Sequence, residues 1–112
     1  MRVNASKALA AFVAGKRAVP AESVWTDGET IYSYRTAIAT RTPAGFIVLN
    51  RTKYSQTTTV HQNAFAYHLT RYFSHVAEVD GLRQGVEPRE LIAAASSLEV
   101  VAEWAASQPA AI

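Results

Sequence analysis

The chain has 112 residues, 49% of them hydrophobic and including two Trp, five Tyr and four Phe. That is enough apolar surface for one domain with a modest core, and too little length for two. It contains no cysteine, which excludes a disulfide framework, a thiolate zinc site and a nucleophilic thiol and fits a reducing cytoplasm. The net charge is only +2, but its distribution is uneven. Between residues 30 and 77 lie Arg35, Arg41, Arg51, Lys53 and Arg71 with no Asp or Glu, whereas from Glu78 onward the acids outnumber Arg83 and Arg89. A basic centre followed by an acidic tail predicts a molecule with two electrostatically distinct regions.

In chain order, Asn4 or Ser6 is placed to cap a first helix that carries Leu9, Phe12 and Val13 on one face and ends at Gly15. The apolar run Ala8 to Ala14 is far too short to span a bilayer, and Lys16 and Arg17 follow it at once, so neither a membrane segment nor a secretory leader is expected. Lys16 to Glu22, with Pro20, reads as a linker. Ser23 to Thr26 and Thr30 to Tyr32 flank Asp27-Gly28, a pair suited to a type I′ turn, and predict a β-hairpin. Alternation then puts Ile31 and Ser33 on one face, with Tyr32 and Tyr34 on the other. A turn within Ser33 to Thr36, a strand at Ala37 to Thr40, a turn at Pro43-Ala44-Gly45 and a strand from Phe46 to Leu49 continue an antiparallel meander.

Thr59 followed by Gln62 fits a capping box and marks the start of the main helix. Phe65, Leu69, Tyr72, Phe73 and Val76 form its apolar stripe. His61, His68 and His75 recur every seven residues, about 10 Å apart at 1.5 Å per residue. That separation is too great for any two to share a metal ion, and no acid lies nearby, so no metal site is expected. Arg71 lies between His68 and His75 and adds positive charge to that surface. Arg51 and Lys53, just before the helix N-terminus, make an anion site there a candidate.

After a turn region from Val79 to Glu87, Pro88 suits the first position of a last helix. Leu91, Ala95, Leu98, Ala102 and Ala105 share one face of it, Trp104 near its end either anchors it to the sheet or belongs to an interface, and Pro109 closes it. The expected fold class is α+β, a three- to four-stranded antiparallel meander covered by about three helices in the order α-βββ(β)-α-α. The whole of 1–112 forms one domain, with 1–3 and 108–112 as loose termini.

The segments Trp25 to Gly28, Ser33 to Ala39 and Lys53 to Asn63 together resemble a family of small proteins of unassigned function. The family occurs in bacteriophages, notably those of actinobacteria, and in plasmid and archaeal genomes. The resemblance spans about residues 7 to 70, and its most specific part is the pattern Tyr54-Ser55-x-Thr57-Thr58-x-x-His61. It implies a phage accessory protein acting in the host cytoplasm. It also implies that Tyr34, Tyr54, Thr57, Thr58 and His61 belong together, and it brings no activity or cofactor with it.

Three functions compete on this reading. The first is a non-catalytic nucleic-acid binding module, its cations on phosphates and its tyrosines on bases. Its candidate residues are Tyr32, Tyr34, Arg35, Arg51, Lys53, Tyr54, Thr58, His61, His68 and Arg71, and Arg41 belongs to the same basic set. The second is a protein-interaction factor that binds a host protein or itself, with exposed Tyr, Trp and Arg as anchors. The third is a metal-independent nuclease with His61 as general base, Arg51 and Lys53 stabilising charge and Tyr54 donating a proton. The sequence has no paired carboxylates, nucleophile elbow or phosphate-cradling glycine loop to support that enzyme.

Overall fold

Six strands, ordered in space as they are in sequence, form one sheet in the computed structural model, which describes residues 3–108. The elements are α1 (Val3–Val13), β1 (Ala18–Ala21), β2 (Val24–Thr26), β3 (Thr30–Ser33), β4 (Thr36–Arg41), β5 (Ile47–Asn50), α2 (Gln56–Tyr72), β6 (Val76–Val79), α3 (Pro88–Ala95) and α4 (Glu99–Ser107). Strands β1 to β5 are antiparallel, and β6 pairs with β5 in parallel after the α2 crossover. The α+β class is as expected, but the sheet is wider than the meander read from the sequence.

Both added strands lie at sheet edges. β1 occupies the supposed linker, and Pro20 is tolerated there because the outermost, bulged strand leaves its missing N–H without a ladder partner. Val76 to Val79 continues the helical spacing of α2, yet Phe73 is already extended and the segment pairs with β5, with the Ile47 N–H donating to the His75 carbonyl at 3.3 Å. An open strand edge outweighs local periodicity here. Two further corrections concern helices. The main helix starts at Gln56, not Thr59, because the Ser55 hydroxyl accepts from the Thr58 N–H and caps it. The single last helix is two, α3 and α4, separated by a turn at Ser96-Ser97. Of the termini expected to be loose, Val3 belongs to α1 and Gln108 closes α4, while 1–2 and 109–112 lie outside the described residues.

Each face of the sheet carries its own core. On one face α1 and α2 bring Ala8, Leu9, Phe12, Phe65 and Leu69 against Val24, Ile31, Ile38, Ile47 and Leu49. On the other, α3 and α4 bring Leu91, Ala95 and Trp104 against Ala37, Phe46, Val48, Ala77 and Val79. A bulge makes this two-sided division possible: Ile31 pairs with Ala39 but Tyr32 pairs with Ala37, so Ile38 is the extra residue. Beyond it the pleat changes phase, and Ile38 and Ala39 both join the first core while Ala37 joins the second.

Asp27-Gly28 does turn the β2–β3 hairpin, though not as type I′. Gly28 has φ +101 and Asp27 keeps a negative φ, its Oδ1 accepting from the Glu29 and Thr30 N–H groups instead. A Cβ on Gly28 would lie 2.8 Å from the Gly15 carbonyl oxygen, so this turn sits directly on the end of α1. Arg41 closes the same corner, donating to the Phe12 and Gly28 carbonyls at 2.8 and 2.7 Å.

Candidate functional site

The helices α3 and α4 lie against β4, β5 and β6. The same face of β1 to β3 is left largely open, and that is where the tyrosines of β3 emerge. Ile31 and Ser33 are buried, as alternation requires, while Tyr32 is half-buried and Tyr34 is 52% exposed. In the hairpin register Trp25 lies opposite Tyr32, and their rings stack with centroids 4.0 Å apart and planes 9° from parallel. The Trp25 side of this stack lines an open cleft of about 1080 Å³, together with Arg17, Glu22, Tyr34, Arg35 and Gln84. A second lobe of about 460 Å³ shares Arg35 and Gly85 with the first and is lined by Tyr32, Glu87 and Arg89.

Two turns build the open end of the cleft. Ser33 pairs with Thr36, so Tyr34 and Arg35 are the whole β3–β4 loop, and Tyr34 has φ +55. It is the non-glycine residue with positive φ among those described, in a backbone region that costs an L side chain on the order of 1–3 kcal/mol. The Tyr34 N–H donates to the Ser23 carbonyl at 3.0 Å, which joins this loop to the β1–β2 turn carrying Glu22. Trp25 Nε1 donates to the Tyr34 carbonyl at 2.7 Å. The opposite wall is held as firmly. Gly85 donates its N–H to Thr36 Oγ1 at 2.9 Å, the Ala37 N–H donates to the Val86 carbonyl, and Arg83 makes a bidentate pair with Glu90 at 3.0 and 2.8 Å.

Charge in the cleft is uncommitted. Arg17, Arg35 and Glu22 make no hydrogen bond or ion pair with any described residue, whereas Arg89 pairs with Glu87 at 2.9 Å. Burial, reinforced by the negative charge of Asp27, pushes the Tyr32 phenol above its ordinary value.

The remaining candidates lie elsewhere. Arg51 is taken up by the Gln62 carbonyl and Asn63 Oδ1, both at 3.1 Å, with Glu78 at 3.7 Å. The Tyr54 hydroxyl accepts from Asn50 Nδ2 at 3.0 Å and directs its proton at the Leu82 and Arg83 carbonyls, which pins the loop before α3. Gln62 is buried and donates to the Asn50 and Thr52 carbonyls, both at 2.7 Å, so its amide holds the β5–α2 connection instead of capping the helix. Lys53 is exposed at that connection.

Thr58 and His61 do meet, at Ser33. Ser33 Oγ lies 3.0 Å from His61 Nδ1 and 3.2 Å from Thr58 Oγ1, and Ser55 Oγ donates to Thr58 Oγ1 at 3.1 Å. A hydroxyl beside an imidazole is the beginning of a nucleophilic pair. Here, however, Ser33 is only 1% exposed and its oxygen is shared with Thr58, so the arrangement fastens β3 to α2. Thr57 is exposed and Tyr54 works on the other side of the connection. His68 and Arg71 are on the outer part of α2, where the Arg71 guanidinium lies 3.9 Å over the Tyr67 ring. His75 has left the helix and shares a hydrogen bond with Ser74 at 3.1 Å. Among the described residues no group of His, Asp or Glu is placed to hold a metal ion.

The sequence reading brought Tyr32, Tyr34 and Arg35 to one place, and missed Arg17, Glu22, Trp25 and Gln84. Trp25 was recoverable, because an Asp-Gly hairpin sets it across from Tyr32. Arg17 and Glu22 were hidden by reading β1 as a linker.

The model of a family of unknown function, DUF8033, matches residues 5–81. The chain belongs to this family. The match runs from within α1 through β6 and stops before α3, so this DUF8033 protein carries Trp25, Tyr32 and Tyr34 within the family region and the Gln84–Gly85 wall beyond it. No curated protein and no solved structure matches the chain. Among the described residues no helix is long and apolar enough to cross a membrane.

Proposed function

We propose that this DUF8033 protein is a non-catalytic binding module for single-stranded nucleic acid, an accessory protein of phage type working in the host cytoplasm. The observation that carries the reading is the exposed Tyr34 ring, held on strained backbone beside Arg17 and Arg35, whose charges no described residue answers. Bases stack on aromatic rings irrespective of sequence, at about 1–3 kcal/mol each, and guanidinium groups take the phosphates between them. The phage setting rests on the resemblance of the Tyr54 to His61 segment.

Fluorescence anisotropy with labelled single-stranded and duplex oligonucleotides tests it. The expected result is binding of the single strand in preference to the duplex. Its salt dependence should be shallow, with a log–log slope of about −1.4 for two neutralised phosphates. Alanine at both Arg17 and Arg35 should flatten that slope. No binding at low salt ends this reading.

A second reading has its own observation. Val60, Tyr67 and Tyr72 are exposed along α2, away from the cleft, and such residues suit a protein interface. Retention of a host protein by wild type, and its loss on Tyr67→Ala with oligonucleotide binding intact, would favour a protein-interaction factor. Trp104 is not part of such a patch, since it packs on Phe46 with centroids 5.2 Å apart.

A further inference from the structure

A carboxylate is out of place in a cleft built only for phosphates. Glu22 nevertheless lies in the β1–β2 turn on the rim of the first lobe, and no described residue neutralises it. The turn is fixed to the tyrosine loop by the Tyr34 N–H bond to the Ser23 carbonyl, next in sequence to Glu22. The acid and the Tyr34 ring therefore line one cleft from two turns that are tied together. Near phosphate it would repel; toward a base edge it is an acceptor with two oxygens and no proton to give.

On that basis, and resting on the single-strand reading above, we propose that Glu22 reads the base stacked at Tyr34 and selects guanine. Guanine is the base whose Watson–Crick edge presents two adjacent donors, N1–H and the N2 amine, which match the two carboxylate oxygens. Cytosine and adenine each offer one amine next to a ring acceptor that a carboxylate repels, and thymine offers one N–H between two carbonyls. Single-stranded bases are read in this way, on edges that pairing would otherwise occupy. Gln84, on the facing wall, is an amide with both donor and acceptor and is compatible with the guanine O6.

The test compares three labelled oligothymidylates of equal length, one unmodified, one with a single central deoxyguanosine and one with deoxyinosine there instead. Inosine keeps N1–H and lacks the amine. Wild type should bind the guanosine strand about tenfold more tightly than the thymidine strand, with inosine between them. Glu22→Gln should bind all three within about twofold of one another. Glu22 is exposed, so a thermal melt of the variant should match wild type. Equal binding of the three strands by wild type, or a guanosine preference that survives Glu22→Gln, overturns the assignment while leaving the single-strand reading intact. Failure of every strand to bind overturns both.

Discussion

Trp25 Nε1 donates to the main-chain carbonyl of Tyr34 at 2.7 Å. One residue lining the cleft thus holds another, and holds it in a conformation its side chain resists. Strain kept in this way has a consequence that separates stability from binding. Tyr34→Gly removes the Cβ penalty of φ +55, so the variant should melt at the wild-type temperature or above it by the equivalent of about 1 kcal/mol. Its affinity for single strands should fall by an amount typical of one lost stacking partner, on the order of 1–3 kcal/mol. Thermal melts and anisotropy on the same preparation check both halves. A variant that melts well below wild type would show that Tyr34 serves the fold.

Gln62 is 4% exposed, and its amide serves the carbonyls of Asn50 and Thr52 together. Gln62→Ala leaves both without that donor in a buried corner, and should cost about 1–3 kcal/mol of unfolding free energy, measured by urea titration. Asn63→Ala, which loses only the exposed contact with Arg51, should change the unfolding free energy by less than about 0.5 kcal/mol.

Gly28→Ala meets two obstacles, a φ of +101 and a Cβ 2.8 Å from the Gly15 carbonyl oxygen. The Gly15 oxygen is backbone and cannot rotate away. The variant should be destabilised by at least about 1–3 kcal/mol, read as a drop of several degrees in the melting temperature. Ala at Gly45, where a Cβ meets nothing within 4 Å, should lose only the conformational part.

The Tyr32 phenol titrates above its ordinary value because burial, and then Asp27, disfavour the phenolate. The folded state therefore binds its proton more tightly than the unfolded state does. Its contribution to stability is complete below about pH 10 and is lost as pH rises through the folded value. Urea midpoints measured from pH 8 to 11 should fall at the alkaline end, and Tyr32→Phe should fall less steeply over the same interval.

The parts of this fold that could be read from the chain are those whose causes are local. The β2–β3 hairpin follows from Asp27-Gly28, the next two turns from Ser33 to Thr36 and from Pro43 to Gly45, and the burial of Phe65 and Leu69 from their helical spacing. What escaped was decided at a distance. Val76 to Val79 is a strand because β5 has a free edge beside it, and Gln62 is a buried brace because the backbone of Asn50 and Thr52 curls over it. The cluster of Arg35, Arg51, Lys53 and Arg71 looked like one basic face because charge is counted along a chain, whereas the sheet and α2 send those residues to separate surfaces. Half of the cleft was visible as Tyr32, Tyr34 and Arg35. The other half required knowing that residues 18–21 form a strand, which Pro20 conceals.

The parallel pairing of β5 with β6 also fixes an order of events during synthesis. Strands β1 to β5 are joined by tight turns and can close on one another as soon as they leave the ribosome, but β6 must wait for the whole of α2. The residues from Arg51 to Val79, made at about 5–20 per second, take roughly 1.5–6 s. Through that interval Ile47 to Asn50 is an uncovered apolar border of the growing sheet, the kind of edge that recruits other chains. The nascent protein is therefore most vulnerable to misassembly midway through its own translation, and a holding chaperone would find its target at β5.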